Sequence, residues 1–153
     1  MPSDLWSFAS YCYARPGAEA ACLQLQAAGA DVCLLLCGLW LEQRGIAHSH
    51  ERQTQLLAVS APWQRQVIQP LRELRQGWRE AAQLDPMQMR LREQVKALEL
   101  EAERELLQRL ERLTQSWNRA ENKTATWLEQ LVADSGAEHR DALQVLRAAA
   151  SQA

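Results

Sequence analysis

Val32-Cys33-Leu34-Leu35-Leu36-Cys37-Gly38-Leu39-Trp40-Leu41 runs without a charge between Asp31 and the exit Glu42-Gln43-Arg44-Gly45. A helix built from this stretch is apolar on every face, so it cannot lie on a surface with one side in water. The rest of the chain must surround it. The run is also about half the roughly 20 residues that a membrane-spanning helix needs. The expected fold is all-α: a compact helical bundle around a buried central helix, with a long C-terminal helix.

On either side of this run no stretch alternates apolar and polar residues, and no Asn-Gly or Asp-Gly hairpin turn occurs. Leu5, Phe8, Ala9 and Cys12 follow helical steps, with Ser3 as the expected N-cap. Pro16-Gly17 breaks that helix, and Pro16 suits the first turn of the next. The second helix is expected to reach Ala28 and stop at Gly29. Asp31 and Gly45 are the expected cap and stop of the central helix. After a short loop, Ile46 to His50, a further helix passes through Leu56, Leu57 and Val59. Ser60-Ala61-Pro62 is expected to open another, with Pro70 as a kink or break inside it.

Asp85-Pro86 punctuates the second half, and from Met87 to Ser135 there is neither glycine nor proline. Leu84, Val95, Leu106 and Trp117 recur every 11 residues, as do Leu91, Ala102 and Leu113. That period predicts a nearly straight apolar stripe. A helix from Met87 to Trp117 would be roughly 45 Å long. The chain thus divides as one domain, 1–153: a core bundle over 1–83, a long helix over 84–135 bent near 118–122, and an alanine-rich terminal helix over 137–151.

At 153 residues a single domain can bury roughly 68–70% of its unfolded surface. A hydrophobic content of 47% with 24% charged residues excludes wholesale disorder. The net charge of -2 gives no global attraction to nucleic acid or anionic membrane, so neither is expected as a partner. The N-terminus has Asp4 and no basic residue before Arg15, unlike a secretory signal, which points to the cytoplasm. Cys12, Cys22, Cys33 and Cys37 would then stay reduced. They lack CxxC or CxxH spacing and read as buried thiols.

His48-Ser49-His50-Glu51 is a histidine cluster, but a metal site needs three or four ligands in space, so no metal is expected. No glycine-rich phosphate loop, nucleophile elbow or paired-carboxylate motif occurs. Neither catalytic residues nor a cofactor are therefore expected.

Charge falls in blocks. Residues 44–92 carry eight basic and four acidic side chains, between blocks that are net acidic. On a regular helix Trp63, Val67, Leu71, Leu74 and Trp78 form one apolar stripe. Arg65, Arg72 and Arg79 then fall roughly 120–160° away, and Arg75 at the border. None of the four has an acidic residue three or four positions away. Arginine's planar fork suits carboxylate and phosphate. The glutamates of Glu99-Leu100-Glu101-Ala102-Glu103-Arg104-Glu105 could instead neutralise this ridge within the chain.

The leading expectation is a non-enzymatic interaction module, an adaptor or regulator that binds an acidic protein partner through this ridge and the long helix. One alternative is a small-molecule or cofactor pocket lined by Trp6, Tyr11, Tyr13, Cys33, Cys37 and Trp40. Others are self-association through the long helix and a nucleic-acid- or ribosome-associated role.

Several quoted residues also carry a family likeness. Leu5-Trp6-x-Phe8, Tyr13, Pro16-Gly17, Ala21-Cys22-Leu23-x-Leu25-Gln26 and Gly29-x-Asp31-Val32-x-Leu34-Leu35-Leu36 belong to it. So do Trp40, Gly45, Pro62-Trp63 and Pro70-Leu71-Arg72-x-Leu74-Arg75. Over about residues 4–80 the chain resembles a small, uncharacterised, pseudomonad-like family of proteobacterial proteins, a domain of unknown function. The resemblance implies a bacterial, cytoplasmic, mainly helical protein and lends no activity or cofactor.

Overall fold

A computed structural model describes residues 4–118, 127–132 and 139–151, and the described residues form helices and connecting turns. The helices are α1 (Leu5–Tyr13), α2 (Ala18–Ala27), α3 (Val32–Gln43), α4 (His50–Trp63), α5 (Gln69–Gly77), α6 (Ala81–Leu84), α7 (Pro86–Thr114), α8 (Trp127–Leu131) and α9 (Arg140–Ala150). A π-helical segment, Gln64–Ile68, joins α4 to α5.

α3 is the hub. Every residue from Cys33 to Leu41 is buried. α1, α2, α4, α7, α8 and α9 all pack against it, as a helix apolar on every face requires. Asp31 caps it by accepting the Leu34 N–H at 3.0 Å. Gly45, with φ +71°, turns the chain away at its end, a conformation in which any Cβ would be strained. Burial raises the Cys12 thiol pKa to about 11 and that of Cys22 to about 12, and it pushes Cys33 and Cys37 up as well. All four cysteines are free and buried, as expected of inert core thiols.

Several boundaries differ from the sequence reading, each for a local reason. Asp4 caps α1, accepting both the N–H and the hydroxyl of Ser7 at 3.0 Å; the expected cap, Ser3, lies outside the described residues. Gly17 is the N-cap of α2, so Pro16 precedes that helix instead of opening it.

The expected helix start at Ser60 does not occur. α4 runs through Pro62 into the π segment, where the Gln69 N–H reaches the Gln64 carbonyl five residues back. Pro70 has no N–H to give the carbonyl four residues back, and its ring crowds that carbonyl. The widened turn just before it relieves both problems, so the chain bulges where a kink was expected.

α7 begins at Pro86 on an Asp85 cap and extends 29 residues, roughly 43 Å. It stops at Thr114, well before residue 135. Most of the stretch expected to bend, and Gly136, lie outside the described residues. The 11-residue stripe faces the core only from Val95 onward. Its earlier members, Leu84 and Leu91, are 90% and 43% exposed. α5 contributes no buried residue, and α6 packs on α7. Together α5, α6 and the first turns of α7 form a helical hairpin that stands out from the core as an arm.

α8 closes the bundle through Trp127, whose indole is fully buried and donates to the Ile46 carbonyl at 2.8 Å. Gly38 makes this approach feasible. A Cβ there would sit 3.3 Å from Trp127 Cβ and 2.7 Å from a Leu131 methyl. Among the described residues no helix is long and apolar enough to cross a membrane.

Candidate functional site

The four arginines of the ridge separate into two pairs. Arg72 donates from Nε to Glu99 at 3.0 Å and lies 3.6 Å from Glu103. Arg75 grips Glu99 with Nε at 2.5 Å and Nη2 at 3.3 Å. Arg92, from α7, donates to the Arg75 carbonyl at 2.8 Å. The in-chain neutralisation that the glutamate-rich stretch allowed is therefore realised for Arg72 and Arg75. Arg65 and Arg79 are exposed, and neither makes an ion pair among the described residues.

The π segment explains the turning of Arg72 and Arg75, while Arg65 lies within that segment and Arg79 lies past the end of α5. One extra residue in a turn makes every later side chain lag by about 100° relative to a regular helix. The expected solvent position of Arg72 thus swings toward α7, and Leu74, expected in the apolar stripe, swings outward to 41% exposure. Trp63 anchors the start of this region, donating to the Ala102 carbonyl at 2.9 Å while the Arg109 guanidinium stacks on its ring.

Glu99 is 5% exposed, and a buried carboxylate needs opposing charge. Burial raises its pKa, but the hydrogen bonds from Arg75 and Arg72 outweigh that and hold it below the usual carboxylate range. Glu103, one turn on, has only the longer contact to Arg72. Burial, then repulsion from Glu99, raises it to about 6.

Arg65 and Arg72 also line an open cleft of about 340 Å³ with Gln26, Asp31, Gln64 and Gln69. Its floor was not legible in the sequence. Asp31 accepts from the Ser60 hydroxyl, from Gln64 Nε2 at 2.9 Å and from the Leu34 N–H at 3.0 Å. Burial pushes this carboxyl up, against the lowering effect of those donors. Both oxygens are occupied, and no histidine lines the cleft. The cluster positions α3 against α4, with Ser60 fully buried.

The model of a family described as a protein of unknown function (DUF2390) matches residues 4–110. The chain belongs to that family. The DUF2390 match reaches well past residue 80, taking in the arm, the Glu99–Glu103 pair and most of α7, and it stops before α8 and α9. No curated protein and no solved structure matches the chain.

The residues of the expected aromatic and thiol pocket lie on two helices of this DUF2390 fold that pack together, α1 and α3. Cys33, Cys37 and Trp40 are buried on α3, and Arg44 stacks on Trp40 at 4.4 Å. Trp6 is half-buried beneath Arg104, Tyr11 is half-buried beside Arg15, and Tyr13 is 40% exposed. None of the six lines the Asp31 cleft. His48 bonds Gln53 at 2.6 Å and sets its edge on Trp127, and Ser49 caps α4. No group of three metal-ligating side chains occurs among the described residues.

Proposed function

We propose that this protein is a non-enzymatic interaction module, an adaptor or regulator that docks an acidic protein partner through Arg65, in the π segment, and Arg79, just past α5. The observation that carries this reading is the division of the ridge. Arg72 and Arg75 are spent on Glu99, whereas Arg65 and Arg79 present their forks to solvent without an ion pair among the described residues. Exposed arginine is the usual donor to a partner's carboxylates. Four free, buried thiols support placing this role in a reducing compartment, the bacterial cytoplasm.

The test is a double reversal, Arg65→Glu with Arg79→Glu, compared with wild type in affinity purification from the native host. Recovery of an acidic partner should fall at least about 5-fold, with a matching loss of salt dependence and unchanged helicity. Undiminished recovery overturns the proposal.

The Asp31 cleft favours a second reading. Its volume is at the lower end of the roughly 300–1,000 Å³ typical of small-ligand sites, and Arg65, without an ion pair among the described residues, suits a small carboxylate or phosphate. Native mass spectrometry of freshly purified protein separates the two readings. A bound anion lost on Arg65→Glu supports the ligand, and a bare mass counts against it.

A further inference from the structure

The arm leaves one face of α7 uncovered. Met87, Leu91 and Leu98 are 57%, 43% and 50% exposed. At 100° per residue they and Gln94 fall within a sector of about 60°. The core-facing seam of Val95, Ala102 and Leu106 lies to one side, and α5 covers the flank beyond it. On the outer edge of the open sector stand Arg90 and Glu101, about 20° apart. Both are exposed, and neither makes an ion pair among the described residues. The face is therefore apolar along its length, basic at its start and acidic at its end.

We propose that this face pairs with the same face of a second copy of this chain, antiparallel, about a two-fold axis near Gln94. Charge complementarity selects that occupant. A parallel two-fold copy would bring unlike edges together and leave Arg90 and Glu101, which share one edge, without each other. An antiparallel copy sets Leu91 against Leu98 of the partner subunit and Arg90 against Glu101 of the partner subunit. The midpoints of both pairs fall between Gln94 and Lys96, so a single axis makes both matches, and each occurs twice. In an antiparallel two-fold pair like edges of the two helices meet, which is what Arg90 and Glu101 on one edge require. The pairing also accounts for Leu91, which continues the apolar stripe of α7 beyond the point where the core of one chain covers it.

The contact spans roughly four helical turns and falls below the ~1,200 Å² of a standard-size interface, so the dimer is concentration-dependent. It is independent of the acidic-partner reading, which uses Arg65 and Arg79.

Sedimentation or light scattering of the full chain from micromolar to near-millimolar concentration should show its mass rising toward that of a dimer. Arg90→Glu alone and Glu101→Arg alone should each weaken association about 5-fold or more. The two together should restore it to within about 2-fold, because the swap preserves every cross-pair. Gln94→Cys should give a disulfide-linked dimer on mild oxidation, since the native thiols are buried, whereas Lys96→Cys, on the opposite side of the helix, should not. A monomer at every concentration overturns the proposal. So does a dimer that the double swap fails to restore, or that Lys96→Cys captures as well as Gln94→Cys.

Discussion

Glu99 and Glu103 stand one turn apart on α7 and look toward the same two arginines, yet their environments push them in opposite directions. Glu99 is held below the ordinary carboxylate value, so its contribution to stability is present above about 4.5 and is lost as pH falls through its depressed value. Glu103 is raised from 4.5 to about 6, so the folded chain holds its proton more tightly than the unfolded chain. Its contribution is full below about 4.5 and is lost as pH rises through about 6. At neutral pH Glu103 is therefore a cost to folding. Its side chain is 30% exposed, so solvent screening reduces the effect to about 1 kcal/mol. Glu103→Gln should be more stable than wild type at pH 7.5 and gain little or nothing at pH 4.5, read by urea unfolding. An equal gain at both values would show that the proton on Glu103 is not the cause.

At the scale of elements, legibility depended on whether the deciding interaction was local. The run from Val32 to Leu41 fixed its own burial, and Asp31 and Gly45 marked its ends. Asp85-Pro86 marked the start of α7 in the same way. The π segment escaped because no residue type encodes it. It relieves Pro70 within one continuous helix, and it turns Arg72 and Arg75 toward Glu99. The Asp31–Ser60–Gln64 cluster escaped because its members come from two helices. Gly38 reads in sequence as a weak point of a helix, whereas its role is to admit Trp127. Two substitutions separate these meanings. Gly77→Ala, with open space around its Cβ, should stabilise by up to ~1 kcal/mol through helix propensity alone. Gly38→Ala gains the same propensity but forces Trp127 or Leu131 to move, an overpacking cost of about 1–3 kcal/mol, so the sum should be destabilising. Thermal unfolding of both variants gives the two signs, and a stabilised Gly38→Ala would mean that α8 does not close on α3 as described.

Across the whole molecule, the segment beyond the family match is joined to the core by charge as well as by packing. Arg147 on α9 donates to Glu42 at the end of α3 at 2.9 Å and also binds Glu129 on α8. The Leu128 N–H reaches the same Glu42 carboxylate at 3.2 Å. Glu42 and Arg147 are 105 positions apart, so a reading confined to neighbouring charges along a helix could not pair them. The Glu42 side chain is 6% exposed, which makes it the costly member of the trio if left alone. Removing one partner of a buried pair costs about 3–5 kcal/mol, and the 25% exposure of Arg147 lowers this to about 2 kcal/mol. Arg147→Met should destabilise by that amount. Glu129→Gln should cost under about 1 kcal/mol, because the Glu129 side chain is 51% exposed. Adding Glu42→Gln to Arg147→Met should recover most of the loss, since a neutral amide can still accept the Leu128 N–H without a buried charge. A surface pair would be screened in high salt, so persistence of the Arg147→Met loss in 1 M salt identifies the buried carboxylate as its source. If the double variant is no more stable than Arg147→Met, packing of the Arg147 stem, and not charge, holds α9 to the hub.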